Sequence, residues 1–188
     1  MFKKRNLIFL CLLILGVLLI TGCGSTILPL TYTVGDTGPA GGLIFYDKGS
    51  YSDGWRYLEA APSDQSTGIQ WYNGSCVVTG ATGTAIGTGQ SNMTAIVTIQ
   101  GAGSYAAQLC NDLTVGGYND WFLPSKDELN LMYTNLKVAG VGGFADTNYW
   151  SSSEYNAFYA WNQDFYLGDQ SKVFHKYFTY RVRAVRAF

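Results

Sequence analysis

One histidine, His175, is all that this 188-residue sequence contains. Catalytic sets built on imidazole therefore have a single starting point. A His/Cys zinc site has none, because Cys76 and Cys110 are far apart and only one histidine could join them. Charged side chains are scarce too, at 13%. Glycine is plentiful, yet the run GTAIGTGQSN, Gly83–Asn92, lacks the Gly-Lys-Ser/Thr ending that cradles phosphates, and no buried strand precedes it. That excludes a nucleotide loop. The glycine triplets of VGDTGPAGG number only two, too few for a collagen helix. Internal repeats and a second domain are also missing.

Basic residues Lys3, Lys4 and Arg5 precede an apolar run from Leu7 to Ile20. This run is shorter than the ~20 residues that span a bilayer, so it reads as an export signal. Ile20, Thr21 and Gly22 before Cys23 resemble the lipobox of bacterial lipoproteins. That resemblance implies cleavage before Cys23, fatty acylation of its sulfur, and a membrane partner held through at least two acyl chains. The expected organisation is a signal peptide at 1–22, a lipidated tether at 23–31 and one domain at 32–188. The expected address is the bacterial cell envelope, facing the periplasm or the cell exterior.

Without residues 1–22, nine Lys and Arg face thirteen Asp and Glu, a net charge of −4. A nucleic-acid partner is excluded on that balance. Basic residues cluster only at the end, where Lys172, Lys176, Arg181, Arg183 and Arg186 follow the last acid, Asp169. Alternate arginines there read as a solvated or ion-paired face. Cys76 and Cys110 are expected to form a disulfide in an oxidising compartment, stabilising the fold by roughly 3–4 kcal/mol; the rival reading is two buried free thiols.

Periodicity then supplies the elements. Leu43–Asp47 and Trp55–Ala61 read as paired strands, and residues 63–92 as Gly/Ser/Thr-rich loops pinned by Cys76. Tyr105, Ala106, Leu109, Cys110 and Leu113 form one helical stripe, stopped by Gly116 and Gly117. In DWFLPSKDELNLM, Ser125 and Glu128 make an S-x-x-E capping box, with Leu129, Met132, Tyr133 and Leu136 as the buried face. Four strands are expected from Tyr149, Tyr159, Lys172 and Tyr180. The fold class is α+β, with two helices on short antiparallel strands.

Six blocks, GDTGPAGGLIFYD, GWRYLEAAP, IGTGQSN, DWFLPSKDEL, YWSSSE and VRAVRAF, resemble the family typified by the C-terminal domain of the Legionella collagen-like adhesin, over about residues 32–188. The resemblance implies a C-type-lectin-like fold, distantly similar to the formylglycine-generating enzyme group, in bacterial surface proteins and lipoproteins. It also implies binding of sulfated glycans and clumping. The oxidase chemistry of that wider group needs a late cysteine pair, and nothing after Cys110 is cysteine. The related sulfoxide synthases need several iron-binding histidines, so neither chemistry carries over. The trimerising collagen-like stalk is absent.

The function expected is a non-enzymatic binding or adhesion module with no cofactor. Trp150, Tyr155, Trp161, Asn162 and Asp164, with Glu154 nearby, are candidates for stacking on and hydrogen bonding to a glycan, although Trp150 and Trp161 also suit a core. Lys172 and Lys176 are candidates for a sulfated polysaccharide. Calcium is a candidate ligand at Asn119 and Asp120 of YNDW, where an ordinary turn is the competing explanation. The contrasting class is an enzyme acting on glycan or cell wall through Asp127 and Glu128 or Glu154 and Asp164. A structural envelope protein packing on a protein partner is the third.

Overall fold

Ser52-Asp53-Gly54-Trp55 closes the first hairpin of the computed structural model, which describes residues 30–188. The expected signal, Cys23 and the tether up to residue 29 lie outside the described residues. Asp53 (φ 53°) and Gly54 (φ 85°) both adopt the left-handed region that a type I′ turn demands. The turn joins β1 (Leu43–Ser52) to β2 (Trp55–Ala60), and β8 (Val185–Ala187) pairs with the other edge of β2. A second sheet has the order β3 (Ser66–Ile69), β7 (Tyr180–Val182), β4 (Asn148–Glu154), β5 (Ala160–Asp164), β6 (Gln170–Ser171). All its pairs are antiparallel except β4 with β7, which run parallel.

Three helices cover these sheets: α1 (Gly89–Gln100), α2 (Ala106–Asn111) and α3 (Lys126–Met132), the last continuing into a π-helical turn at Tyr133–Lys137. The mixed α+β class agrees with the expectation, but the described residues hold three helices where two were expected. α1 hides in sequence because its buried positions include Gly89 and Asn92 beside Met93 and Ile96, so the apolar stripe is half polar. Asn92 is buried because its amide is bonded, donating to the Gly83 carbonyl at 2.6 Å and accepting from the Gly83 N–H at 3.1 Å.

The core sits between sheets and helices. Trp71, Trp121, Trp150, Tyr105, Tyr149, Phe45 and Phe165 are its largest fully buried side chains. Fully burying a side chain of this size contributes roughly 2–3 kcal/mol, so these rings dominate the apolar term. β4 runs through the centre, and its serines are tolerated because Ser151 donates to the Trp161 carbonyl at 2.8 Å and Ser153 to that of Gly83 at 2.7 Å.

Residues 63–92, expected as loops, contain β3 and the start of α1, the strand expected from Tyr180 is divided into β7 and β8 of different sheets, and two further expectations fail. The strand expected from Lys172 to Phe178 is instead β6 followed by turns, with a single bridge between Tyr159 and His175. The backbone there is used once per partner: Lys176 N–H bonds the Phe158 carbonyl, and its own carbonyl accepts from Trp71. The Cys76–Cys110 disulfide does not form. Cys110 is on the inward face of α2 and fully buried, while Cys76 is exposed in the 73–80 loop, and both are free thiols. Desolvation pushes the Cys110 thiol far above its ordinary value, which makes it inert. A maleimide added to the native protein should modify Cys76 and spare Cys110 until denaturant is present. Peptide mass analysis showing equal labelling of both would contradict the packing of α2.

Candidate functional site

Three buried glutamates organise the glycine-rich loops, and each uses residues from a different sequence block. Glu59 on β2 accepts from the N–H groups of Ala40 (3.1 Å) and Gly42 (2.8 Å), gripping GPAGG. The grip is tight: a Cβ on Gly38 would strike the Glu59 carboxylate, and one on Gly42 the Ala60 carbonyl. Arg186 reaches Glu59 at 3.4 Å and clasps Asp120 with two bonds of 2.8 and 2.9 Å. Asp120 is therefore held by a guanidinium rather than left free as a cation ligand. Among the described residues, no group of three His, Cys, Asp or Glu could hold a metal ion.

Glu128 completes the capping box: Ser125 N–H donates to it at 2.7 Å, and Ser125 Oγ accepts from Glu128 N–H at 3.3 Å. It does more than sequence shows, since Gly87 N–H also donates to its carboxylate at 2.7 Å, and Gly89 N–H joins. No side-chain bond caps α1 from within its own segment, so Glu128 of α3 meets the positive end of α1 instead. The carboxyl is fully buried without a cation, and desolvation raises its pKa above the ordinary value although the N–H bonds oppose that.

Glu154, proposed from sequence as a ligand residue, ends β4 inside the protein. It accepts from Thr79 N–H at 2.9 Å and Gly80 N–H at 3.1 Å and pairs with Lys176 at 2.5 Å. Lys176, also proposed as a ligand residue, is fully buried, donates to the Val77 carbonyl at 3.2 Å and lies 4.4 Å over the Trp71 ring. Burial lowers its pKa and Glu154 opposes the shift. Glu154 and Lys176 thus pin the 73–80 loop, the role expected of Cys76.

Charge pairing decides what the surface can offer. Of the nine cations in the described residues, eight are within 4.0 Å of a carboxylate. Arg181 and Arg183 both contact Asp64, at 2.8 and 2.7 Å. The ion-paired reading of the terminal arginines is therefore correct, but Arg183 and Arg186 are buried rather than solvated. Lys172 alone has no carboxylate partner. Its ammonium lies 4.4 Å above Tyr155 and 5.6 Å above Trp161, whose ring also receives Lys126 at 5.0 Å. Tyr155 is 49% exposed and Trp161 half-buried, with ring centroids 6.5 Å apart.

The chain matches the family model of the Lcl C-terminal domain over residues 61–186. It belongs to that family. The match starts at Ala61, so the GPAGG loop and the β1–β2 hairpin lie before it, whereas the Lcl-domain residues include Glu128, Glu154, Lys176 and Arg186. No curated protein matches the chain.

The remaining sequence candidates divide by strand face. Trp150 fills the core of this Lcl domain against Tyr180, ring centroids 4.5 Å apart, and donates to the Ile69 carbonyl at 2.9 Å. Asn162, its cross-strand partner, is buried and donates to the Ser171 carbonyl at 3.2 Å. Asp164 turns its Oδ1 to the backbone N–H groups of Tyr166 and Leu167 (2.7 and 3.2 Å), and it lines a depression of about 450 Å³ with Asn148, Asp169 and Phe174. Only Tyr155, Trp161 and Lys172 converge on accessible surface. Sequence reasoning overlooked Lys126, whose signal is its position at the start of α3 facing β5. Neither carboxylate pair nominated for acid–base chemistry offers two accessible groups, because Glu128 and Glu154 are sealed.

Proposed function

We propose that this protein is a non-enzymatic binding or adhesion module of the bacterial cell envelope, with a C-type-lectin-like arrangement of its α+β elements and a lipid anchor on Cys23. It takes a glycan or another surface polymer on the face formed by Tyr155, Trp161 and Lys172. The observation that carries this reading is Lys172, the one cation among the described residues without a carboxylate partner, poised over two aromatic rings. Rings supply stacking area for the C–H faces of sugars, and the ammonium supplies a directed polar contact. Membership of the Lcl C-terminal domain family and the lipobox-like Ile20–Cys23 support the surface address.

A glycan array probed with the protein, with and without calcium, tests the reading. Binding should be insensitive to calcium, and Tyr155→Ala or Trp161→Ala should each weaken it about tenfold, the effect of one lost stacking contact. Variants that bind as well as the parent would place the site elsewhere.

A second reading rests on another observation. Phe158 (51% exposed), Tyr177 (48%) and Phe178 (40%) form a near-continuous aromatic surface around His175, with His175 and Tyr177 stacked at 4.1 Å. Exposed apolar area of this kind suits packing against an envelope protein. An array with no hits, together with a co-purifying partner lost on Phe158→Ser, would favour it.

A further inference from the structure

We infer that the ligand of the Tyr155–Trp161–Lys172 face carries isolated single negative charges, as in a carboxylated sugar, and is not a densely sulfated polymer. The inference rests on the binding face proposed above and names its ligand class. It follows from the ion pairing among the described residues, which leaves one free cation against five unpaired acids: Asp36, Asp112, Glu128, Asp164 and Asp169.

A polysulfated chain is held by many cations at once, each neutralising one sulfate and releasing a counterion. Here the cations that cluster in sequence cannot take part. Lys176, Arg183 and Arg186 are 0%, 2% and 3% exposed, and Arg181 is tied to Asp64. Past the first charge, every further sulfate meets a net negative protein and is repelled.

A neutral sugar fits less well for the opposite reason. The Lys172 ammonium lies 4.4 and 5.6 Å from the centroids of two rings and has no carboxylate partner among the described residues. One carboxylate would complete its environment through a charge-assisted hydrogen bond, while the sugar's C–H face rests on the exposed Tyr155 ring. Lys126 and Asp127, 3.2 Å apart, cancel each other beside Trp161, so this face has a local charge of +1.

The test is a comparison of oligogalacturonate, sialyl-lactose, heparin oligosaccharides and neutral malto-oligosaccharides against the full chain in detergent micelles, by calorimetry across a salt series. The carboxylated probes should bind tightest, with a logarithmic salt slope of about one, the value for one neutralised charge. Lys172→Gln should weaken them about tenfold, to the level of the neutral probes, without moving the melting temperature, because Lys172 forms no structural ion pair. Heparin binding that is tightest, with a slope of about four or more, or neutral probes equal to charged ones, would overturn the inference. Binding lost on Tyr155→Ala but unmoved by Lys172→Gln would also overturn it while leaving the binding face intact. Absence of binding by all four probes and by the array would remove both.

Discussion

Replacing Glu128 with alanine should lower the stability of the domain by about 3–5 kcal/mol near pH 5, one of the two largest single-residue effects in the protein. The change strands the N–H groups of Ser125, Gly87 and Gly89 inside the fold, at roughly 1–3 kcal/mol for each left unpaired, and removes the capping box of α3. Because Glu128 also caps α1, loss of helical signal should come from both helices. The sign of the pH dependence is set by the raised pKa. Between the unfolded value near ~4.3 and the higher folded value, the native state binds more protons than the unfolded chain, so this group's contribution to stability is present at the acid end and is lost as pH rises. The destabilisation by Glu128→Ala should therefore shrink from pH 5 toward pH 8 in parallel urea titrations. A destabilisation that grew with pH would mean that the carboxylate is stabilised as an anion.

The second large effect is expected at the buried pair. Lys176→Met should cost about 3–5 kcal/mol by leaving the Glu154 carboxylate sealed without its cation, 2.5 Å away in the parent. Glu154→Leu should be similarly damaging and should also loosen the 73–80 loop, since Thr79 and Gly80 lose their shared acceptor. The double change Glu154→Leu with Lys176→Met should regain part of the loss, because two apolar groups beside Trp71 remove both desolvation penalties at once. Thermal melts of the four proteins form a cycle, and strict additivity of the two single costs would show that the ions do not interact. Greater protease sensitivity at residues 73–80 in the single variants would report the loop directly.

Much of the local architecture was legible in the residues. Ser125 and Glu128 announced the start of α3 because a capping box is closed within four residues, and the Tyr105–Leu113 stripe marked α2 because its apolar spacing survives without outside help. α1 was not legible, since Thr88 provides no side-chain cap and the helix end is satisfied by a glutamate forty-one positions away from Gly87. The segment from Lys172 has the aromatic and β-branched composition of a strand, but it packs as turns because neighbouring backbone offers it only isolated partners.

The candidate site shows the same division. Aromatic and charged residues between Glu154 and Lys176 could be picked from the sequence, and three of them, Tyr155, Trp161 and Lys172, do meet at the surface. Their neighbours Glu154, Trp150 and Lys176 went inward. Strand alternation alone does not settle which ring or charge is exposed, because the 150s and 160s strands are covered on both faces to different depths.

Chain composition and short-range spacing were sufficient for the α+β class, the α3 cap and the acidic balance, because each depends on residues within a turn or two of one another. Which charges survive to meet a ligand is a property of the folded molecule. Asp64, Glu59, Asp120 and Glu154 reach their cations across separations of up to 127 residues, and neutralisation at such range is fixed by packing, which no local pattern encodes.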